Sequence, residues 1–285
     1  MKGSGRLVMI GLGPGPTEYM SEKAVEEARR ADVRMADGYT SVLLGSGLEE
    51  LIGSIEWVGR PYLEDPDEWF LAHQGQSVAV LIPGDPMVST THVTLMLDAQ
   101  RAGFDVEVVH GISIFDLVGG LGLQSTRFGR IVSLVYPYAG LTVTSPLEHI
   151  AFNRWQGLHT LVLLDLDPSG EGITEPKPMS PKAAYEALLQ AHVALRERED
   201  GEFAGGEDYF SIRARVTKRF SNENLADMNV ALCSDLGSHS QRIEVGCVKD
   251  LKSAQPGIIH TLVIPAELHD IEERMWRSHP LIQGK

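Results

Sequence analysis

Residues 81–92, which read Leu-Ile-Pro-Gly-Asp-Pro-Met-Val-Ser-Thr-Thr-His, carry the residue types best suited to chemistry. An apolar strand is predicted to end at a Pro-Gly-Asp-Pro turn that leads into a helix. Asp85 then projects a carboxylate from the C-terminal end of a strand, the edge where open α/β sheets bind ligands. Gly84 allows a close backbone approach, and the two flanking prolines fix φ. Taken alone, the segment fits an ordinary strand-to-helix turn equally well.

A second candidate turn, Gly-Leu-Gly-Pro-Gly-Pro over residues 11–16, follows another apolar run. Its spacing departs from the G-x-G-x-x-G of dinucleotide sites, and Pro14 and Pro16 lack the N–H groups that a pyrophosphate would use. With residues 85–88 and 113–114 it would line a cleft of carbonyls, one carboxylate, one hydroxyl and apolar walls. That lining suits the sulfonium and adenine of S-adenosylmethionine better than a polyphosphate. A purely structural turn is the alternative.

The elements that position these turns alternate between strands and helices. Strands are predicted over residues 6–10, 78–82 and 104–109, with helices after Ser21 and over residues 42–52 and 91–101. This alternation predicts a mostly parallel α/β sheet over about the first 110 residues. The acidic segment at residues 64–68 is interpreted as a solvated loop.

A second set of elements follows a short predicted helix over residues 115–121. Strands are predicted over residues 131–135, 160–164, 230–233, 241–245 and 261–264, and a long helix begins at Ser180-Pro181. The charged stretch 196–224 is predicted to be an exposed, poorly ordered excursion. The fold class is therefore α/β with two lobes, an N-terminal α/β lobe over residues 1–110 and a C-terminal α/β lobe over residues 111–285.

Composition narrows the classes of function. The chain has 285 residues, 43% hydrophobic and 22% charged, with a net charge of −14 that argues against nucleic-acid binding. Cys233 and Cys247 match no metal motif and form no disulfide framework, which favours a reducing cytoplasm. No apolar stretch approaches the ~20 residues of a membrane helix, and residues 1–6 lack a signal-peptide core. We expect a cytoplasmic protein that does not enter a membrane.

Several motifs resemble the diphthine synthase family of methyltransferases, within the tetrapyrrole methylase superfamily. They are Ile-Gly-Leu-Gly at 10–13, Tyr-Thr-Ser at 39–41, the turn and Thr-Thr-His at 83–92, Ser113-Ile114, Gly-Leu-Gln at 122–124, Phe-Gly-Arg at 128–130, Gly-Leu-His-Thr at 157–160 and Leu-Asp-Leu at 164–166. The resemblance runs from about residue 6 to residue 270. It implies the superfamily's two-lobed fold, with S-adenosylmethionine in a cleft between the lobes.

The resemblance also implies a set of cofactor-binding residues. Matched position by position, they are Pro14, Asp85, Val88, Ser113, Ile114, Leu164, Leu236 and His260. Pro14 departs from the family's usual Leu, and Leu236 lies in a segment that fits the family only loosely. No metal is implied. We name no catalytic base, because solvent can take the proton, and we interpret His92 and His110 as structural residues.

The activity that the resemblance implies is repeated methylation of the amino group of a modified histidine, the diphthamide precursor, on translation elongation factor 2. The cofactor would be S-adenosyl-L-methionine, which leaves as S-adenosyl-L-homocysteine, and the products would include diphthine. A homodimer is also implied. Two alternatives stay open: a tetrapyrrole (precorrin-type) C-methyltransferase, which the Pro14 turn favours, and a catalytically dead S-adenosylmethionine-binding protein.

Overall fold

The computed structural model describes residues 5–38, 42–59, 65–137, 142–167, 176–198 and 208–283. The chain forms two compact units. Unit 1 is built on the residues up to Leu117 and takes in Pro176 and Leu236–His239, and unit 2 is built on the rest from Val118 onward. Residues 111–117, which the prediction assigned to the C-terminal lobe, therefore lie in unit 1. Each unit has its own five-stranded sheet.

The sheet of unit 1 is parallel throughout, as the alternation of strands and helices predicted. Its strands are β1 (Gly5–Gly11), β2 (Val33–Asp37), β3 (Glu56–Val58), β4 (Ser77–Ile82) and β5 (Phe104–Val109), in the order β3-β2-β4-β1-β5. The prediction missed β2 and β3. The charged Arg34 interrupts the apolar pattern of β2 in the sequence. In the structure its guanidinium leaves the strand and donates to the carbonyl oxygens of Ala28 and Ala31 at the end of the preceding helix.

Helices cover both faces of this sheet. They are α1 (Glu22–Arg30), α2 (Leu48–Ile52), α3 (Asp67–Ala72), α4 (His92–Arg101) and α5 (Ile114–Leu117). Alternate residues of β1 point to opposite layers, so that Leu7 packs with Phe70 and Leu95, whereas Val8 and Ile10 pack with the alanines of α1. A parallel sheet covered on both sides explains why its central strands are continuous apolar runs.

Two predictions about these helices were wrong. A helix over residues 42–52 is not formed before Leu48, because Gly45 and Gly47 have φ of 126° and 86°, which a right-handed helix excludes. Residues 64–68 were interpreted as a solvated loop, but α3 begins at Asp67. By contrast, Ser21 caps α1 as predicted, with its hydroxyl accepting from the N–H of Ala24 at 3.1 Å.

The sheet of unit 2 is mixed. Its strands are β6 (Val132–Leu134), β7 (Thr160–Leu164), β8 (Asn229–Ser234), β9 (Arg242–Cys247) and β10 (His260–Ile264), in the order β6-β7-β10-β8-β9. Only the pairing of β6 with β7 is parallel. All five strands lie where the sequence predicted them, within one or two residues at most ends. Beside β9, Val245 donates to the carbonyl oxygen of Pro280 and accepts from the N–H of Ile282, both at 2.9 Å.

The helices of unit 2 are α6 (Ser145–Trp155), α7 (Pro181–Glu197), α8 (Tyr209–Ser221) and α9 (Asp270–Ser278). The helix opening at Ser180-Pro181 is confirmed as α7, whereas α6 and α9 were not predicted. The predicted excursion over residues 196–224 is wrong for its second half, because α8 is a helix capped by Asp208 that buries Thr217 and Phe220. Residues 199–207 of that prediction lie outside the described residues. Among the described helices, none is long and apolar enough to cross a membrane.

Candidate functional site

Three glycines bring the C-terminal ends of β1, β4 and β5 into contact in unit 1. A Cβ on Gly11 would lie 2.5 Å from the N of Gly111, and a Cβ on Gly111 would lie 2.3 Å from the carbonyl oxygen of Gly84. Gly84, at φ 78°, exchanges backbone hydrogen bonds with Gly13 at 2.7 and 3.1 Å. A Cβ on Gly84 itself would meet nothing within 4 Å. The strand ends are therefore packed backbone against backbone, with open space beside Gly84.

Asp85 ties this edge together. Its side chain is buried, and Oδ1 accepts from the N–H of Met87 at 2.8 Å. Oδ2 accepts from the N–H of Gly111 at 3.1 Å and from Nδ1 of His110 at 2.9 Å. Since both oxygens are engaged, the carboxylate holds the β4 and β5 ends in register. A nearby ligand would therefore interact with its negative charge, because neither oxygen is a free hydrogen-bond acceptor.

His110 is the exposed partner in this arrangement. Its side chain is 72% accessible, whereas that of Asp85 is 7% accessible. Because an ionised carboxylate only accepts hydrogen bonds, the contact assigns the proton of the neutral imidazole to Nδ1. The lone pair then lies on Nε2, for which the described residues provide no hydrogen-bond partner. The sequence singled out Asp85 and His110 separately, but no local signal connects two residues that are 25 positions apart.

His92, the other histidine of interest, is buried under the same turn. Its Nδ1 lies 3.1 Å from the carbonyl oxygen of Pro86, and its Nε2 lies 3.5 Å from Oδ2 of the fully buried Asp37. The structural interpretation of His92 agrees with these contacts, because both ring nitrogens face groups of the protein.

Ser113 and Ile114 open α5 beside the β5 end. Ser113 is buried, and both its N–H and its hydroxyl donate to Oδ2 of Asp116, at 2.8 and 2.7 Å. The N–H of Asp116 lies 3.3 Å from the hydroxyl in return, so Ser113 begins the helix in the manner of a capping box. Ile114 and Val88 are half-buried. The carbonyl oxygen of Ser113 also accepts from the N–H groups of Asp116 and Leu117, so its N–H, hydroxyl proton and carbonyl oxygen are all engaged within the chain.

Pro14 and Leu236 also come together in unit 1. A Cβ on Gly237, at φ 83°, would lie 2.3 Å from Cγ of Pro14, so the segment after Asp235 packs directly on the first glycine turn. Leu236 is buried there, although it lies far from that turn along the chain. Of the eight predicted cofactor-binding residues, unit 1 thus contains Pro14, Asp85, Val88, Ser113, Ile114 and Leu236.

The remaining two predicted residues belong to unit 2. Leu164 is half-buried at the end of β7. His260 is buried at the start of β10, with Nε2 accepting from the N–H of Gly257 at 3.1 Å and Nδ1 lying 2.9 Å from the hydroxyl of Ser234. Burial lowers the pKa of His260 to about 4, so the ring is neutral at pH 7. Both ring nitrogens are occupied, which leaves the backbone and the ring edge for a ligand.

A buried ionic cluster in unit 2 accounts for motifs that do not belong to the strand edge of unit 1. Glu272 is fully buried, ion-paired with Arg127, and 3.1 Å from Nε2 of His159. It also accepts from the N–H of Gln124 at 3.0 Å, and Nδ1 of His159 accepts from the N–H of Ala266 at 3.0 Å. Gly-Leu-Gln and Gly-Leu-His-Thr therefore anchor α9. The sequence did not predict this, because His159 and Glu272 are 113 positions apart.

The charge of the strand edge in unit 1 is one-sided. Residues 11–16, 83–92 and 110–114 contain Asp85 and two histidines but no lysine or arginine. Within the described ranges, no group of three or more His, Cys, Asp or Glu side chains is arranged to hold a metal ion. The edge is thus suited to a neutral or cationic ligand, and it lacks the fixed cations of a polyphosphate site.

The chain is similar to known proteins over most of its length. Residues 6–252 match the family model of the tetrapyrrole (corrin/porphyrin) methylases. The diphthine synthase of Methanocella arvoryzae is 32% identical over 281 residues, covering 94% of this chain and 95% of that protein. The diphthine synthase of Methanosarcina mazei is 34% identical over 278 residues, covering 93% and 92%. A crystal structure of a diphthine synthase superposes with a TM-score of 0.77 at 28% identity, covering 96% of this chain and 95% of its own.

Proposed function

The chain belongs to the tetrapyrrole (corrin/porphyrin) methylase family, and on that premise we propose that it methylates the diphthamide precursor on translation elongation factor 2. It is an S-adenosylmethionine-dependent methyltransferase of diphthamide biosynthesis, by its similarity to diphthine synthases over nearly its full length. The acceptor in the proposal is the amino group of the modified histidine, which is methylated repeatedly to give diphthine.

The observation that carries the proposal is the strand edge around Gly84 and Asp85. It combines open space beside Gly84, a buried carboxylate and no lysine or arginine, in a chain of this family. A sulfonium is cationic, and its adenosyl part is neutral, so this lining fits S-adenosylmethionine. We propose that the cofactor is held by Pro14, Asp85, Val88, Ser113, Ile114, Leu164, Leu236 and His260.

The contacts already made by these residues refine what each would contribute. Asp85 would supply negative charge for the cationic sulfonium, while its oxygens hold the turn. Ser113 would supply packing surface, because its N–H, its hydroxyl proton and its carbonyl oxygen are already engaged within the chain. Ile114 and Val88 supply half-buried apolar surface. His260 supplies its backbone or ring edge, since the neutral ring has no free nitrogen.

The bound cofactor would supply an electrophilic methyl group on sulfur. The task left to the chain is to hold the acceptor nitrogen in line with that methyl, which is a large part of the rate enhancement in reactions of this kind. The backbones of Gly11 and Gly111 approach each other and the carbonyl oxygen of Gly84 so closely that there is no room for a side chain at residue 11 or residue 111. We further propose that the protein acts as a homodimer in the cytoplasm.

Mass spectrometry of elongation factor 2 tests the proposal. Purified protein, S-adenosylmethionine and the factor carrying the unmethylated precursor should yield a ladder of added methyl masses on the histidine-containing peptide. Mild alkali distinguishes the acceptor, because methyl esters of the carboxylate hydrolyse and N-methyl groups remain. We expect Asp85→Ala to weaken cofactor binding in calorimetry, and Asp105→Asn, at an exposed residue of the neighbouring strand, to leave it unchanged.

Other outcomes would favour the alternatives. An unmodified peptide together with methylation of a precorrin would support a tetrapyrrole C-methyltransferase. Cofactor binding without turnover on either acceptor would support a catalytically dead binding protein. Light scattering of the pure protein decides between monomer and dimer.

A further inference from the structure

We propose that His110 is the general base that deprotonates the acceptor amine, and that Asp85 is the residue that positions it. This inference rests on the proposed function, because it assigns a role at the same strand edge. The contact between Nδ1 of His110 and Oδ2 of Asp85, at 2.9 Å, is its foundation.

Asp85 is itself immobilised, so it can fix the orientation of the imidazole. Its Oδ1 is held by the N–H of Met87 at 2.8 Å, and its Oδ2 is held by the N–H of Gly111 at 3.1 Å. The carboxylate is buried, whereas the imidazole that it holds is 72% accessible. A buried carboxylate that orients an exposed imidazole through Nδ1 is the arrangement by which enzymes present Nε2 as a base.

The accessible side of the ring carries the lone pair. Nδ1 donates to Asp85, so the neutral ring accepts at Nε2, for which the described residues provide no partner. The ionisable group that the described residues place against the imidazole is Asp85, whose negative charge stabilises the imidazolium formed on proton uptake. Exposure then lets Nε2–H return its proton to water between methyl transfers.

The acceptor begins as an ammonium, and Nε2 of His110 takes one of its protons to leave a neutral amine. The amine lone pair forms the bond to the methyl carbon while the carbon–sulfur bond breaks, and that electron pair stays on sulfur as a neutral thioether. The methylated nitrogen is again an ammonium. Each further methylation needs one more deprotonation, so a base that reloads through solvent suits repeated transfer.

Single-turnover kinetics across pH test this role, with cofactor affinity measured separately by calorimetry. For the unmodified chain, we expect the rate to rise with pH. His110→Gln should lower the rate roughly 10²-fold and remove that part of the pH profile, while cofactor affinity is retained. In His110→Ala, added imidazole should restore part of the rate. His73→Gln is the matched control, since His73 contacts the carbonyl oxygen of Trp69 through Nδ1 and precedes the N-terminal end of β4.

The positioning role of Asp85 can be tested by a measurement that needs no catalytic turnover. The 15N shifts of the His110 ring should report the Nδ1–H tautomer, and Asp85→Asn should mix the two tautomers and lower the rate.

Several results would overturn the inference while the proposed function stands. They are an unchanged rate in His110→Gln, a lowered rate with the original pH profile and no rescue by imidazole, or loss of cofactor affinity in both His110 variants. The last result would assign His110 to the cofactor site. If the unmodified chain methylates no form of elongation factor 2, the proposed function itself fails.

Discussion

The carbonyl oxygen of Gly84 lies 2.3 Å from the position that a Cβ on Gly111 would occupy. Two strand ends that are remote in sequence thus meet with no side chain between them, and Asp85 bridges the same junction through the N–H of Gly111. Glycine at residue 111 is required by space and not by an unusual φ, because Gly111 is absent from the positive-φ residues of the described chain.

We expect Gly111→Ala to destabilise unit 1 by about 3 kcal/mol, because the neighbouring atoms are backbone and cannot move aside. Urea unfolding measures the loss. Gly119→Ala is the control, since a Cβ there meets nothing within 4 Å, and its stability should change by less than about 1 kcal/mol. Equal effects of the two substitutions would contradict the close approach at the strand ends.

The buried ring of His260 predicts a loss of stability in acid. Burial lowers its pKa from 6.5 to about 4 in the folded chain. Between these values the unfolded chain binds a proton that the folded chain does not, so the free energy of unfolding falls as pH decreases from about 6.5 to about 4. The contribution is complete above pH 6.5, and its loss amounts to roughly 3 kcal/mol.

Urea unfolding at several pH values, compared between the unmodified chain and His260→Gln, isolates this contribution. The comparison is necessary because burial also lowers the pKa values of His149, His159 and His192. The substitution should flatten the acid limb, and His239→Gln, at an exposed histidine, should not. Parallel acid limbs for His260→Gln and the unmodified chain would refute a neutral buried ring.

Glu272 and Glu273 are neighbours on α9, and their substitution by alanine should destabilise the chain to very different extents. Glu272→Ala removes the acceptor for Arg127, for Nε2 of His159 and for two backbone N–H groups, in a fully buried position. We expect it to cost about 3–5 kcal/mol. Glu273→Ala loses only an exposed pair with Arg277 and should cost about 0.5 kcal/mol or less. Denaturant titration of both variants measures the two losses in the free energy of unfolding. Losses of equal size would contradict the prediction.

Thr217 offers a stabilising substitution. Its hydroxyl is buried in α8 and has no hydrogen-bond partner among the described residues. Thr217→Val keeps the shape and should stabilise the chain by about 1 kcal/mol. The same change at Thr261, whose buried hydroxyl donates to the carbonyl oxygen of Val162 at 2.7 Å, should destabilise it by about as much. The midpoint of thermal unfolding should therefore rise in Thr217→Val and fall in Thr261→Val.

The sequence predicted the parts of the fold that local chemistry determines. β1 and β4 are mainly apolar runs ended by glycine or proline, β5 alternates apolar and acidic residues, and Ser21 and Ser180 are unambiguous helix caps. Elements that depend on tertiary contacts were missed. The charged residues of α8 were interpreted as an excursion, because nothing local shows that Thr217 and Phe220 are buried.

The candidate site also combines features that follow from local sequence with features that depend on tertiary contacts. The turn around Asp85 follows from its residue types, whereas the bond from His110 to Asp85 requires the fold to bring the ends of β4 and β5 together. Likewise, only the structure shows that Ser113 and His260 have already committed their polar side-chain atoms to protein partners.

The contacts of Val245 with Pro280 and Ile282 have a consequence for solubility. An uncovered edge strand is a template on which another chain can add a strand, and it promotes aggregation. Residues 280–282 occupy the backbone groups of Val245 and so guard the outer side of β9. A protease that clipped the chain after α9 would leave the chemistry of unit 1 untouched and yet produce a protein prone to self-association through this edge.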